Sequence, residues 1–319
     1  MLEGNTPLIP MPRLGRELGC DLYVKFEGLN PTGSFKDRGM TVAVSEAAGR
    51  KVSSVICAST GNTAASAAAY AARAGLRAIV LIPEGKVASG KLAGAIAYGE
   101  EVIQVQGSFD KALSLVVEIA QKKPMALVNS INPFRLEGQK TAAFEICDEF
   151  GKAPDWLCLP VGNAGNITSY WLGFRQYDKG LPRLLGVQAE GAAPLVLGHA
   201  VEAPETIATA IRIGKPARGE QALEAVRESR GKLIAVSDRE ILEAQKILAS
   251  EGVWVEPASS AGLAGLYAQI QAGSSEYRNC KVVVVCTGHG MKDPSVITDR
   301  FNPKVVPPDF ETLHGLLVS

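Results

Sequence analysis

Histidine occurs only three times in the 319 residues, at 199, 289 and 314, and the six cysteines (20, 57, 147, 158, 280 and 286) form no CxxC pair. Ligands so few and so scattered do not build a metal site, and none is expected. Several cysteines stand in apolar runs, such as Ser54-Val-Ile-Cys57 and Val282-Val-Val-Val-Cys286, where a thiol serves as a small core residue in a reducing compartment. Charge of one sign is also missing. Lys plus Arg and Asp plus Glu both number 33, which argues against a nucleic acid or an anionic membrane as partner. Aromatics make up 6% and are not interleaved with basic residues as a single-strand-binding surface requires. No charged-then-apolar leader opens the chain and no apolar run approaches membrane-spanning length, so a cytoplasmic location is expected. HExxH, a nucleophile elbow and paired carboxylates are absent too, which removes the commonest hydrolase chemistries.

What remains is a chain rich in packing material, 46% hydrophobic and 21% charged, and long enough for two lobes. Short β-branched runs read as buried strands: 22–26, 54–57, 78–82, 102–105, 126–128, 156–159, 184–187 and 282–286. Alanine-rich or amphipathic stretches lie between them, at 63–73, 109–122, 136–150, 167–177 and 238–250. Strands apolar on both faces that alternate with helices predict an α/β fold of open, mostly parallel twisted sheets covered by helices. Residues 191–219 break the alternation and predict a longer excursion with a short helix near Pro204 to Arg212.

Ligands in such sheets gather at the carboxyl ends of strands, and four turns there carry polar groups. In Pro31-Thr-Gly-Ser-Phe-Lys-Asp-Arg38, Ser34 and Asp37 have capping-box spacing, which predicts a helix from Phe35 with Lys36 in its first turn. The helix dipole and Arg38 would disfavour an ammonium there, and a readily deprotonated lysine forms imines with aldehydes. Taken alone, Lys36 reads more readily as a surface lysine beside an ordinary cap, because capping boxes are common. In Ala58-Ser-Thr-Gly-Asn-Thr63, hydroxyls, an amide and backbone N–H groups make a carboxylate cradle, or else a plain N-cap. Gly162-Asn-Ala-Gly-Asn166 suits a single phosphate ester, its glycine spacing matching neither a Walker A loop nor a dinucleotide fingerprint. In Thr287-Gly-His-Gly290 the Thr287 hydroxyl suits a ring nitrogen, and His289 reads as structural rather than as a base.

These motifs, in this order, resemble the pyridoxal-phosphate enzymes of the tryptophan-synthase-β type, known as fold type II. Asn5-Thr-Pro-Leu8, the segments 27–40 and 58–65, Asn129-Ser-Ile-Asn-Pro-Phe-Arg-Leu-Glu-Gly-Gln-Lys-Thr141, Gly162 to Asn166, Glu256-Pro-Ala-Ser259 and Thr287 to Gly290 look like those of the threonine synthases within that family. The resemblance implies that Lys36 holds pyridoxal 5'-phosphate as a Schiff base and shuttles protons. It implies that Asn62 bonds the cofactor's phenolic oxygen, that Gly162, Asn163, Ala164, Gly165 and Asn166 hold its phosphate, and that Thr287 meets its ring nitrogen. The substrate implied is O-phospho-L-homoserine, which loses phosphate from its γ carbon and gains water at its β carbon to give L-threonine, the last step of threonine biosynthesis. Arg135, Ser130 and Thr63, with Asn163, would bind the leaving phosphate, Arg135 bidentately. Ser59 and Thr60 would hold the substrate carboxylate.

The resemblance also implies a homodimer and two domains. The larger, cofactor-binding one comprises 1–29 and 137–319; the smaller, mobile one comprises 30–136 and carries Lys36 and the 59–63 loop. The chain starts almost at Asn5-Thr-Pro, whereas similar chains commonly carry an earlier segment, and no long C-terminal regulatory domain is expected. Three rival readings stand beside this one. A threonine or serine dehydratase on the same fold has no leaving phosphate to bind and no use for Arg135. A cysteate synthase handles anions of similar kind. A non-catalytic amino-acid or cofactor sensor keeps the fold without the chemistry.

Overall fold

The computed structural model describes residues 1–59, 61–84, 96–99, 101–107, 109–298 and 303–318. Ten strands form two sheets: β1 (Leu8–Pro10), β2 (Asp21–Phe26), β3 (Ser54–Ala58), β4 (Arg77–Pro83), β5 (Glu101–Val105), β6 (Met125–Leu127), β7 (Trp156–Pro160), β8 (Arg183–Ala189), β9 (Lys232–Val236) and β10 (Lys281–Cys286). The larger sheet has the order β1-β2-β10-β7-β8-β9 and the smaller one β5-β4-β3-β6. Every pairing is parallel except β1 with β2. β3 and β7 are buried along their whole length, as expected of strands covered on both faces. The unbroken apolar runs that marked them in the sequence are therefore core.

The helices show how composition becomes packing. Asn62–Ala74 is mostly alanine, and its buried Ala64, Ala67, Ala68 and Ala71 pack with Val55, Cys57 and Val80 of the smaller sheet. Small side chains cost little entropy and let a helix lie close to a sheet. Pro257–Gln271 is buried through its first ten residues and fills one face of the larger sheet. Where a single helix was expected over 136–150 there are two, Pro133–Gln139 and Thr141–Phe150. The first begins earlier because the Asn132 side chain caps it, accepting from Phe134 N at 2.9 Å, with Pro133 at the first helical position. The helix expected near 204–212 shrinks to a 3₁₀ turn, Thr209–Ile211. β1 and β9 were not anticipated; Pro10 hides the first, which lies at the sheet edge where a proline is tolerated.

A buried charge network ties the two halves together at helix Lys36–Gly49. Arg38 donates to Glu27 (Nε to Oε2, 2.7 Å; Nη2 to Oε1, 2.9 Å) and to Glu145 (Nη1 to Oε1 and Nη2 to Oε2, both 2.6 Å). Lys25 Nζ donates to Glu145 Oε2 at 2.7 Å. Lys25, Glu27 and Arg38 are all buried, so two cations and one anion are desolvated together, with Glu145 partly exposed beside them. Burial pushes the Glu145 carboxyl up, but Arg38 and Lys25 outweigh it and hold it at about 2.

Candidate active site

The turn before Lys36 is stitched to the end of β10. Phe35 N donates to Thr287 O (3.0 Å), His289 N donates to Gly33 O (2.9 Å), and Ser34 forms a bridge with Gly288. That stitching brings together Lys36 and Thr287, which are 251 residues apart in the chain. The helix starts at Lys36, not Phe35, and the expected capping box is absent. Asp37 instead accepts from Thr32 N (2.7 Å), Thr32 Oγ1 (2.6 Å) and Ser66 Oγ (2.6 Å). The Ser34 hydroxyl is left buried without a partner among the described residues.

Burial brings Lys36 down to about 7, and the positive charge of Arg135 adds to this while Glu256 opposes it. An amine in that range is about half free base at neutral pH, the form that attacks an aldehyde. The neighbour that lowers it is Arg135, not Arg38 as adjacency in sequence suggested, because Arg38 turns away into the network with Glu27 and Glu145.

Arg135 reaches Lys36 through a backbone-to-backbone helix contact. A Cβ at Gly39 would lie 2.5 Å from Arg135 O, and one at Gly138 would lie 1.8 Å from Arg38 O. Only two glycines let helices Lys36–Gly49 and Pro133–Gln139 meet this closely. Arg135 is 1% exposed. Its Nη1 donates to Val128 O (2.9 Å) and its Nη2 to Gln139 Oε1 (3.2 Å), while Nε has no partner among the described residues. Among the described residues it forms no ion pair, and burial brings it down to about 10.

At the end of β3, the Ser59 hydroxyl accepts from Gly61 N (3.2 Å) and Ala64 N (3.3 Å), holding the turn into helix Asn62–Ala74. Thr60 lies outside the described residues. Asn62 and Thr63 open the helix and are half-buried. Asn62 Nδ2 donates across the molecule to Glu256 Oε1 and Oε2, at 2.9 and 3.1 Å. Ser130 lies in the turn after β6, its carbonyl accepting from Arg218 Nε at 3.0 Å.

At the end of β7, Gly162 packs so closely that a Cβ would meet Ile211 Cα at 2.9 Å. Ala164 is left-handed (φ +64°) and precedes helix Gly165–Tyr177, which carries no side-chain cap. The first amides of that helix therefore stay free, forming a concave nest of N–H donors that suits an anion. Among the described residues Asn166 Nδ2 is buried with no partner, and Asn163 Oδ1 receives a 3.4 Å contact from Ala217 N. Thr287 Oγ1 is 2.8 Å from Ser259 Oγ. His289 Nδ1 accepts from Met291 N at 3.1 Å and its ring stacks on Phe26, which suits the structural reading.

These residues fit pyridoxal phosphate. A lysine near 7, an uncapped nest with an orphaned amide, and a buried hydroxyl pair are what an imine, a phosphate ester and a ring nitrogen require. Sequence reasoning gave Glu256, Ser259 and Lys292 no role. Burial pushes Glu256 up to about 7 and Lys292 down. The only signal in the sequence was Glu256-Pro-Ala-Ser259 itself, a Pro at the first position of a helix.

Comparison with known proteins gives an independent result. The family description "Pyridoxal-phosphate dependent enzyme" matches residues 1–288. A threonine synthase of Halalkalibacterium halodurans is 57% identical, covering 96% of this chain and 88% of its own. One from Methanocaldococcus jannaschii is 54% identical, covering 99% and 82% respectively. Maize serine racemase, at 22% identity, matches with a TM-score of 0.81 over 99% of this chain and 93% of its own, a likeness of fold. Among the described residues no helix is long and apolar enough to cross a membrane, and no cluster of metal-ligand side chains occurs.

Proposed function

The chain belongs to the pyridoxal-phosphate dependent enzymes and, among them, to the threonine synthases, and from that premise we propose that it converts O-phospho-L-homoserine and water into L-threonine and inorganic phosphate. The observation that carries the reading is Arg135. It is a guanidinium without an ion-pair partner among the described residues, and its charge reaches Lys36 from a different element than the Gly162–Asn166 turn. One anion site serves a cofactor phosphate and the turn at Ser59 a substrate carboxylate; a further, cationic site is needed only if the substrate also carries a leaving anion.

Bound pyridoxal phosphate supplies the electron sink for the carbanions this chemistry requires. Lys36 Nζ holds the cofactor and moves protons at successive carbons, a task suited to an amine near 7 because it both accepts and releases protons at neutral pH. The Gly162–Asn166 amides, with Asn163 and Asn166, hold the cofactor phosphate; Asn62 meets its ring oxygen. Thr287 offers a neutral hydroxyl to its ring nitrogen, oriented by Ser259. Ser59 and Thr60 bind the substrate carboxylate, while Thr63, Ser130, Asn163 and Arg135 bind its phosphate. Because Arg135 is sealed from solvent, its direct contact with substrate needs the 129–135 turn to shift.

The same reading divides the chain into a larger domain (1–29 and 137–319) and a smaller mobile one (30–136), assembled as a homodimer in the cytoplasm. The deciding experiment offers O-phospho-L-homoserine to the holoenzyme and measures phosphate and threonine, which are expected in equal amounts. A keto acid and ammonia from threonine or serine, without phosphate-dependent turnover, would instead make it a dehydratase.

A further inference from the structure

Glu256 has no part among the roles assigned above, yet it sits in their midst. Its carboxylate lies flat against Gly288, where a Cβ would come within 2.3 Å of Oε1, and its backbone N donates to Gly288 O at 3.1 Å. Among the described residues, the hydrogen bonds to that carboxylate come from one group, the Asn62 amide, 194 residues away on the smaller sheet's side. The charged groups facing it are Lys36 at the start of helix Lys36–Gly49, and Lys292 with the like-charged Asp293 in the turn after β10. His289, in the same turn, directs Nδ1 to Met291 N. Neither lysine makes an ion pair with Glu256 among the described residues.

A buried carboxylate held by one neutral amide is poorly compensated. Burial accordingly pushes Glu256 up to about 7, although Asn62 and both lysines pull the other way. The Asn62 nitrogen carries two N–H groups and faces two claims on them. An ionised ring oxygen placed on the same amide would set a second anion beside Glu256, and two anions on one buried donor repel strongly.

We propose that Glu256 is a positioning residue that shares the Asn62 amide with the ring oxygen of the bound cofactor and carries a proton while it does so. The inference rests on the assignment of Asn62 to that oxygen. In this arrangement Glu256 orients Asn62 from the larger sheet's side, so the amide is already aimed when the cofactor arrives.

The loaded state needs the proton on Glu256, while the free protein holds that proton only below about pH 7, so affinity falls as pH rises above that value. Glu256→Gln is neutral at every pH. Titrating cofactor-free protein with pyridoxal phosphate, followed by absorbance, gives dissociation constants for wild type and variant. Their ratio is expected near one at pH 6 and about thirtyfold, wild type weaker, at pH 8.5, since each pH unit beyond the pKa is a factor of ten. Titrations of Lys36 and of the cofactor phosphate occur in both proteins and largely cancel in the ratio. An equal ratio at both pH values, together with weakened binding in Asn62→Ala, overturns the role of Glu256 alone. Unchanged affinity and spectrum in Asn62→Ala overturn the Asn62 assignment and this inference with it. Infrared difference spectra of the wild type need no variant: loading at pH 8.5 should add a protonated-carboxyl band, and its absence would overturn the proposal even if Glu256→Gln does not fold.

Discussion

Replacing Arg38 by Met tests whether the buried charge network, rather than the first turn of its helix, fixes Lys36 in place. Arg38 is 2% exposed and Glu27 is fully buried, and four of its hydrogen bonds to Glu27 and Glu145 are 2.9 Å or shorter. Met fills much of the same volume and removes the charge. Glu145 retains Lys25 and is partly exposed, so it tolerates the loss. Glu27 keeps Thr6 and Asn30 as neutral donors but no cation. Leaving one member of a buried pair uncompensated costs about 3–5 kcal/mol, a large share of the ~5–15 kcal/mol that holds most domains folded. Urea unfolding of the cofactor-free protein measures it, with Glu27→Gln/Arg38→Met as the control. The double variant removes both charges and should recover more than half of the loss. The pH dependence gives a second check. Glu145 is depressed to about 2, so the stability it contributes is present above its ordinary 4.5 and is lost as pH falls through about 2. Without Arg38 that contribution should be smaller and its loss complete at a higher pH. A cost below about 1 kcal/mol, or a double variant no better than the single one, would refute the argument that burial makes this network stringent.

Lys36→Ala should abolish the imine absorbance of the loaded protein while leaving its fold intact by circular dichroism; a surviving band would remove Lys36 from the cofactor. The rate of imine formation on adding pyridoxal phosphate should rise as pH increases through about 7, the value at which Lys36 loses its proton, and not near 10.5. Arg135→Met should move that inflection upward, but only part of the way, because burial is the larger cause. Stopped-flow absorbance across pH reads both. Gly138→Ala should destabilise the protein by about 1–3 kcal/mol or more, since the new methyl meets a backbone carbonyl rather than a yielding side chain. A near-neutral effect on the urea midpoint would mean that the two helices part without cost.

Much of the architecture was legible because it is written locally. Runs such as Val282 to Cys286 name a doubly buried strand by composition, and an alanine helix such as Asn62–Ala74 names itself by propensity. Errors fell where local signals compete. Ser34 and Asp37 have the spacing of a capping box, but Thr32 and Ser66 take the Asp37 carboxylate, and Ser66 is a helix away in sequence. Arg38 stands two residues from Lys36 and appeared to be the charge that lowers it. Its three donor nitrogens are instead claimed by Glu27, Thr6, Thr141 and Glu145, and that preference depends on a strand and a helix packed from elsewhere in the chain.

The electrostatics of the site is therefore the part least visible in sequence, and there is a physical reason. A motif fixes which groups are available, whereas burial and partner choice fix their protonation, and both are properties of the closed fold. Lys36 and Glu256 show this together. One is a lysine drawn down to about 7 and the other a glutamate pushed up to about 7, so near neutral pH a single proton can reside on either at little cost. Neither residue has that property in its own segment. It arises because the closed fold buries both, with Gly39 and Gly138 letting Arg135 approach Lys36 and Gly288 letting Glu256 lie against the end of β10 beneath Asn62. Glycines that look like turn punctuation in the sequence thus act as tuning elements, and adding a methyl at Gly138 or Gly288 should alter the titration of the site even where the chain still folds.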